Sequence, residues 1–158
     1  MVEHLEDKDV ITIDLEKVFG RVVMLSAYQA EKAIDEEHPV VLVMGQEDTP
    51  LFLAHLDPVI ADIRGLFTYR TEGVTREDDD LVIEIKKNHI SSEGLNALAP
   101  VLFECIARGV LAQFQTGAKG YRFVQEDNER KYGEMLKQAA AIAAFRSDKK
   151  QRITSRFL

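Results

Sequence analysis

The chain has 158 residues, of which 46% are apolar and 30% charged, a length that fills one domain with a substantial core and is short for two. A net charge of -7 speaks against the phosphate neutralisation that drives duplex binding, so nucleic acid is at most an incidental partner. Cys105 is the one cysteine, which excludes an intramolecular disulfide and a thiolate zinc cluster and fits a reducing compartment.

Residues 1–7 show neither the basic nor the apolar segment of a secretory leader, and no run is read as reaching the ~20 apolar residues of a membrane span. A cytoplasmic site of synthesis is expected. Residues 10–15 alternate Val10, Thr12 and Asp14 with Ile11, Ile13 and Leu15, the period of a short, half-buried strand at a sheet edge. Over residues 16–34, Val18, Val22, Leu25 and Tyr28 recur at three- and four-residue steps and mark a first helix. Gly20 weakens that helix by about 1 kcal/mol relative to alanine, which a close contact with a neighbouring element would explain.

Pro39 ends the helix. Residues 40–44 suit a buried strand or a short apolar connection equally well. Thr49 and Pro50 read as an N-cap and a first-turn proline opening a second helix, with a bend near Pro58 or a restart capped by Asp57. Residues 71–80 are polar and without period, so they read as a solvated loop, whereas residues 81–86 alternate as a strand should. Pairing them with residues 10–15 gives a two-stranded ribbon that helices must cover.

Ser92 is placed to cap a third helix in which Leu95, Leu98, Leu102, Ile106, Val110 and Phe114 form a central stripe. Pro100 predicts a kink or a later start in it, and residues 117–120 (Gly-Ala-Lys-Gly) provide its stop. The last helix, residues 123–145, presents Val124, Asn128, Tyr132, Met135, Ala139 and Ile142 on one face. The expected class is mainly α: a single domain over residues 1–158 resembling a four-helix bundle with a small two-stranded ribbon. Residues 147–158 are basic and are expected to form an arm, extended from the domain or else disordered.

The chemistry-bearing residues are scattered. His4, His38, His55 and His89 include no i, i+4 pair that would aim two imidazoles at one ion, so neither a metal nor another cofactor is expected. His55, close in sequence to Asp57 and Asp62, reads either as a base oriented by a carboxylate or, by default, as a boundary histidine beside surface acids. Cys105 lies on an apolar helix face, where its thiol should be raised in pKa and serve as core packing. Glu77, Asp78, Asp79 and Asp80 lack the alternating ligands and central glycine of a calcium loop and read as a solvated charge run. Residues 117–120 lack the rest of a phosphate loop. Lys149, Lys150, Arg152 and Arg156 could contact phosphates, an acidic groove on another subunit, or nothing; they are the expected partner contacts of a docking arm, with simple disorder as the alternative.

Several phrases occur together in order: Val22-Val23-Met24-Leu25-Ser26-Ala27-Tyr28-Gln29-Ala30-Glu31-Lys32, Asp80-Leu81-Val82-Ile83-Glu84-Ile85, and Leu102-Phe103-Glu104-Cys105-Ile106-Ala107-Arg108-Gly109-Val110-Leu111-Ala112-Gln113-Phe114. In this the chain resembles small virion structural proteins of Bacteroidetes phages and prophages, over nearly its whole length. The family's tryptophan is missing from Leu111-Ala112-Gln113-Phe114, and the proline is missing from the basic terminus. The resemblance implies a neck or tail component, a head–tail connector or adaptor. Such a protein is made in the host cytoplasm and built into the virion as a ring, against copies of itself and neighbouring portal, connector or tail proteins, without catalytic residues. Two other classes stay open: a small regulatory or immunity-type module that captures one partner through its acidic surface, and an enzyme whose site gathers His55, Asp57, Asp62 and Tyr132.

Overall fold

A computed structural model describes residues 1–35, 42–116 and 122–144. The elements in order are β1 (Val2–His4), β2 (Lys8–Asp14), α1 (Leu15–Asp35), α2 (Thr49–Leu66), β3 (Thr71–Glu77), β4 (Asp80–Lys86), α3 (Ser92–Thr116) and α4 (Arg122–Ala144). The architecture is mainly helical, with one antiparallel sheet in the order β1-β2-β4-β3.

β2 and β4 pair as their alternation suggested, with Ile11 opposite Ile83 and Ile13 opposite Leu81. Opposed residues share a face, so these four, with Ile85 and Val74, make the buried side of the sheet. The two-stranded ribbon is corrected to four strands, and β2 is internal instead of an edge. β1 covers it, setting Val2 opposite Ile11, and the Met1 amine donates to the Thr12 carbonyl at 2.8 Å. The expected loop at residues 71–80 is corrected as well: most of it is β3, with a turn at Asp78 and Asp79. Only Val74 of β3 is buried, so its side chains carry no alternation, and the strand is held by its backbone ladder to β4. Arg64 reinforces it by donating Nε and Nη2 to the Val74 carbonyl at 3.2 and 3.1 Å. Asp78 takes the left-handed conformation at φ 48°, which aspartate tolerates better than most residues.

α3 is the central helix, packed by α1, α2, α4 and the sheet, and its stripe from Leu95 to Val110 is buried as expected. It is, against the reading from sequence, long and apolar enough by length and composition to cross a membrane. Here that apolar surface faces protein. α2 and α3 run unbroken through Pro58 and Pro100, so neither proline restarts its helix. Both prolines are exposed, as are Ala54 and Asn96, the residues four positions earlier whose carbonyls lose their helical donor.

The caps differ from expectation by one residue. Asp48, and not Thr49, is the N-cap of α2, its carboxylate accepting instead from the Gly45 amide at 2.7 Å. Ser91, and not Ser92, caps α3, its Oγ accepting from the Gly94 amide at 3.0 Å. Asp14 caps α1 by accepting from the Lys17 amide at 3.0 Å. Gly20 has no close neighbour: nothing lies within 4 Å of where a Cβ would stand.

Residues 42–44 are a connection, not a strand. It is tied down by Ser26, whose buried Oγ accepts from the Met44 amide at 3.0 Å, and by Gln115, which donates to the Leu42 carbonyl at 2.8 Å. The last helix turns the expected face inward, with Asn128 and Ala139 fully buried, and the Asn128 and Gln29 amides exchange hydrogen bonds of 2.7 and 3.3 Å between α4 and α1. Residues 40–41, His38, the stop at residues 117–120 and the basic arm at 147–158 lie outside the described residues.

Candidate functional site

Of the dispersed polar residues, the fold joins Tyr132 to Asp62 by a hydrogen bond, and the ring contact of His55 is with Phe114. Tyr132 Oη donates to Asp62 Oδ2 at 2.7 Å, joining α4 to α2. The His55 ring stands edge-on to Phe114, with centroids 6.2 Å apart, and Asp57 is exposed on α2. Burial pushes the Tyr132 phenol well above its ordinary pKa, and the Asp62 carboxylate that accepts its hydrogen bond adds to this. Burial likewise pushes the Cys105 thiol up to about 12, with a further contribution from the Asp62 charge. Both shifts are opposite to those that activate a nucleophile. Among the described residues, no three His, Cys, Asp or Glu side chains converge to hold a metal ion.

A buried carboxylate that sequence reasoning missed lies on the inner face of β2. Asp9 is 3% exposed, and its Oδ1 accepts from Lys87 Nζ at 2.8 Å and lies 2.8 Å from His4 Nδ1. Burial pushes its pKa up, but the hydrogen bonds and charges of Lys87 and His4 outweigh burial and hold it below the ordinary carboxylate value. The signal was present in the spacing, since Asp9 continues the inward set Ile11 and Ile13. Its position closes one end of the sheet with an ion pair.

A concave surface lies at the opposite end of the β3–β4 hairpin, where its turn meets the first turns of α1 and α2. The Leu15 amide donates to the Asp79 carbonyl at 2.8 Å and pins the turn to α1. The resulting cleft encloses about 520 Å³. Its floor is the tilted pair Phe19 and Phe52, with centroids 5.1 Å apart, together with Leu53. Glu16, Asp78 and Asp79 rim it, with Arg76 as a cation in the lining. Of the acids read from sequence as a solvated charge run, Glu77, Asp78 and Asp79 are exposed and Asp80, the first residue of β4, is partly buried. What sequence alone does not reveal is that two of them border an aromatic floor.

A smaller groove of about 270 Å³ runs between α1 and α4 near the other end of α1. Leu25, Ala33 and Val124 line it, flanked by Tyr28 and Phe123, and its charged residues are Lys32, Arg108, Lys131 and Asp127. Tyr28 is 64% exposed and Phe123 74%. At 1.5 Å per residue, Glu16 and Lys32 stand about 24 Å apart along α1. The surface thus has an acidic and a basic apolar-floored cleft at opposite ends of one helix. Lys149, Lys150, Arg152 and Arg156, the expected partner contacts, lie outside the described residues.

No family model matches the chain, and no curated protein or solved structure shows significant similarity to it.

Proposed function

We propose that this chain is a non-enzymatic assembly protein that binds copies of itself. Following its resemblance to phage neck and tail components, we read it as a head–tail connector or adaptor that forms a ring. One observation carries the self-binding part of this reading: two unlike apolar clefts, of opposite charge balance, open at opposite ends of α1. A body with two different adhesive surfaces is suited to heterologous, head-to-tail contact, which closes into a ring when the rotation between subunits permits. The raised pKa values of Tyr132 and Cys105 support a structural use of the most conspicuous polar cluster. Assembly in the bacterial host cytoplasm beside portal, connector or tail proteins follows from the phage reading, and no cofactor is invoked.

The test is the mass of the purified full chain by light scattering at rising concentration, alongside a form truncated after Ser147. Oligomers of one fixed stoichiometry that depend on the basic segment are expected. A strict monomer in both forms at every concentration would overturn self-assembly.

A further inference from the structure

We infer that the acidic cleft at the β3–β4 turn receives the basic segment 149–158 of a neighbouring copy. This inference rests on the self-assembly reading and specifies its contact. The cleft volume of about 520 Å³ falls within the ~300–1,000 Å³ of sites that engulf a ligand, enough for a few side chains of a peptide. Its rim carries Glu16, Asp78 and Asp79 against the single cation Arg76, and its floor is Phe19, Phe52 and Leu53.

Residues 149–158 match both properties. The segment reads Lys149-Lys150-Gln151-Arg152-Ile153-Thr154-Ser155-Arg156-Phe157-Leu158, placing four cations beside Ile153, Phe157 and Leu158. The cations answer the acidic rim, and the apolar residues answer the aromatic floor. Charge complementarity of this kind steers encounter and fixes register.

The place where α4 ends favours a neighbour over the chain's own segment. Arg70, just before β3, donates Nη1 to the Ala143 carbonyl, so the described end of α4 lies by the base of the hairpin and the cleft lies at its tip. Seven residues of strand span about 23 Å. A chain gains at most ~3.3–3.6 Å per residue, so about seven fully extended residues are needed merely to draw level with the same molecule's cleft. Lys149 and Lys150 would be used up on the way. A neighbouring copy is not bound by that distance, so it can offer the whole basic segment to the cleft.

The test is sedimentation velocity on the full chain at rising concentration, at low and high salt, with three variants. One carries Glu16→Lys with Asp79→Lys, one carries Arg152→Glu with Arg156→Glu, and the third carries all four changes. Thermal melts followed by circular dichroism confirm folding; Glu16 and Asp79 are exposed, and the second variant alters no residue of the described fold. Each charge-reversed pair should weaken self-association by at least about tenfold, the four together should restore it, and salt should weaken the wild type. Self-association unchanged in both pairs overturns the docking and leaves self-assembly standing. A wild-type chain that stays monomeric throughout overturns both.

Discussion

A Cβ on Gly109 of α3 would stand 2.7 Å from Cε2 of Tyr132 on α4 and 2.8 Å from Cγ2 of Val59 on α2. Three helices therefore meet at a point where only hydrogen fits. Val59 is fully buried and Tyr132 is tied to Asp62, so neither yields readily. Gly109→Ala should lower stability by about 1–3 kcal/mol through overpacking, which exceeds the gain of up to about 1 kcal/mol in helix propensity. Gly20→Ala, in open space on α1, should instead raise stability by about 0.5–1 kcal/mol. Urea denaturation of both variants checks the contrast; a shift of the same sign in both would refute the packing argument.

The ion pair at Asp9 should make part of the stability depend on pH. Its pKa is depressed in the folded chain, so the native state binds fewer protons there than the unfolded state. The contribution is present above about 4, the ordinary carboxylate value, and is lost as the pH falls through the depressed one. Asp9→Asn should cost about 1–3 kcal/mol at neutral pH. The gap between wild type and variant should close on acidification, and denaturant midpoints measured from pH 7 down to 2 would reveal a gap that fails to close.

Tyr132 works in the opposite direction. Its phenol is raised in the folded state, so its contribution is intact below about 10 and declines as the pH climbs beyond the ordinary tyrosine value. In an alkaline absorbance titration of the native protein, Tyr132→Phe should remove the last tyrosinate to appear. An unchanged final step would show that the Asp62 contact does not hold the proton.

Cys105 should be inert while the chain is folded. It is fully buried and its thiol is raised to about 12, so thiolate is scarce at neutral pH. Ellman's reagent should react only as fast as the protein unfolds, and an immediate stoichiometric reaction in native buffer would contradict the burial.

The helices were legible because each buries a continuous apolar stripe; α3 announces itself through Leu95, Leu98, Leu102, Ile106 and Val110. β3 was not, because an edge strand with one buried residue, Val74, has no side-chain alternation and exists through hydrogen bonds to a partner that periodicity does not register. β1 is three residues long and carries too short a pattern. The shift from Ser92 to Ser91 as cap reflects two adjacent serines of equal chemistry. The candidate cleft was readable only in pieces: the acids of the turn stood out as charge, but Phe19 and Phe52 belong to different helices, and only the tertiary fold sets them side by side. Tyr132 and Asp62 were singled out together from sequence. The same fold that joins them turns His55 toward Phe114.

The register of the sheet also sets a timetable for the nascent chain. β2 is complete by Asp14, yet the strand it needs, β4, begins at Asp80. At about 5–20 residues per second, Ile11 waits on the order of 4–14 s for Ile83 to be made. Throughout that interval β2 has only the three-residue β1 beside it, and the apolar stripe of α1 has no α3 to cover it. The emerging first half therefore offers an open strand edge and an uncovered helix face, the features that chaperones shield and that concentrated synthesis turns into aggregates. Slowing translation between residues 15 and 80 should lower soluble yield more than slowing it after residue 86.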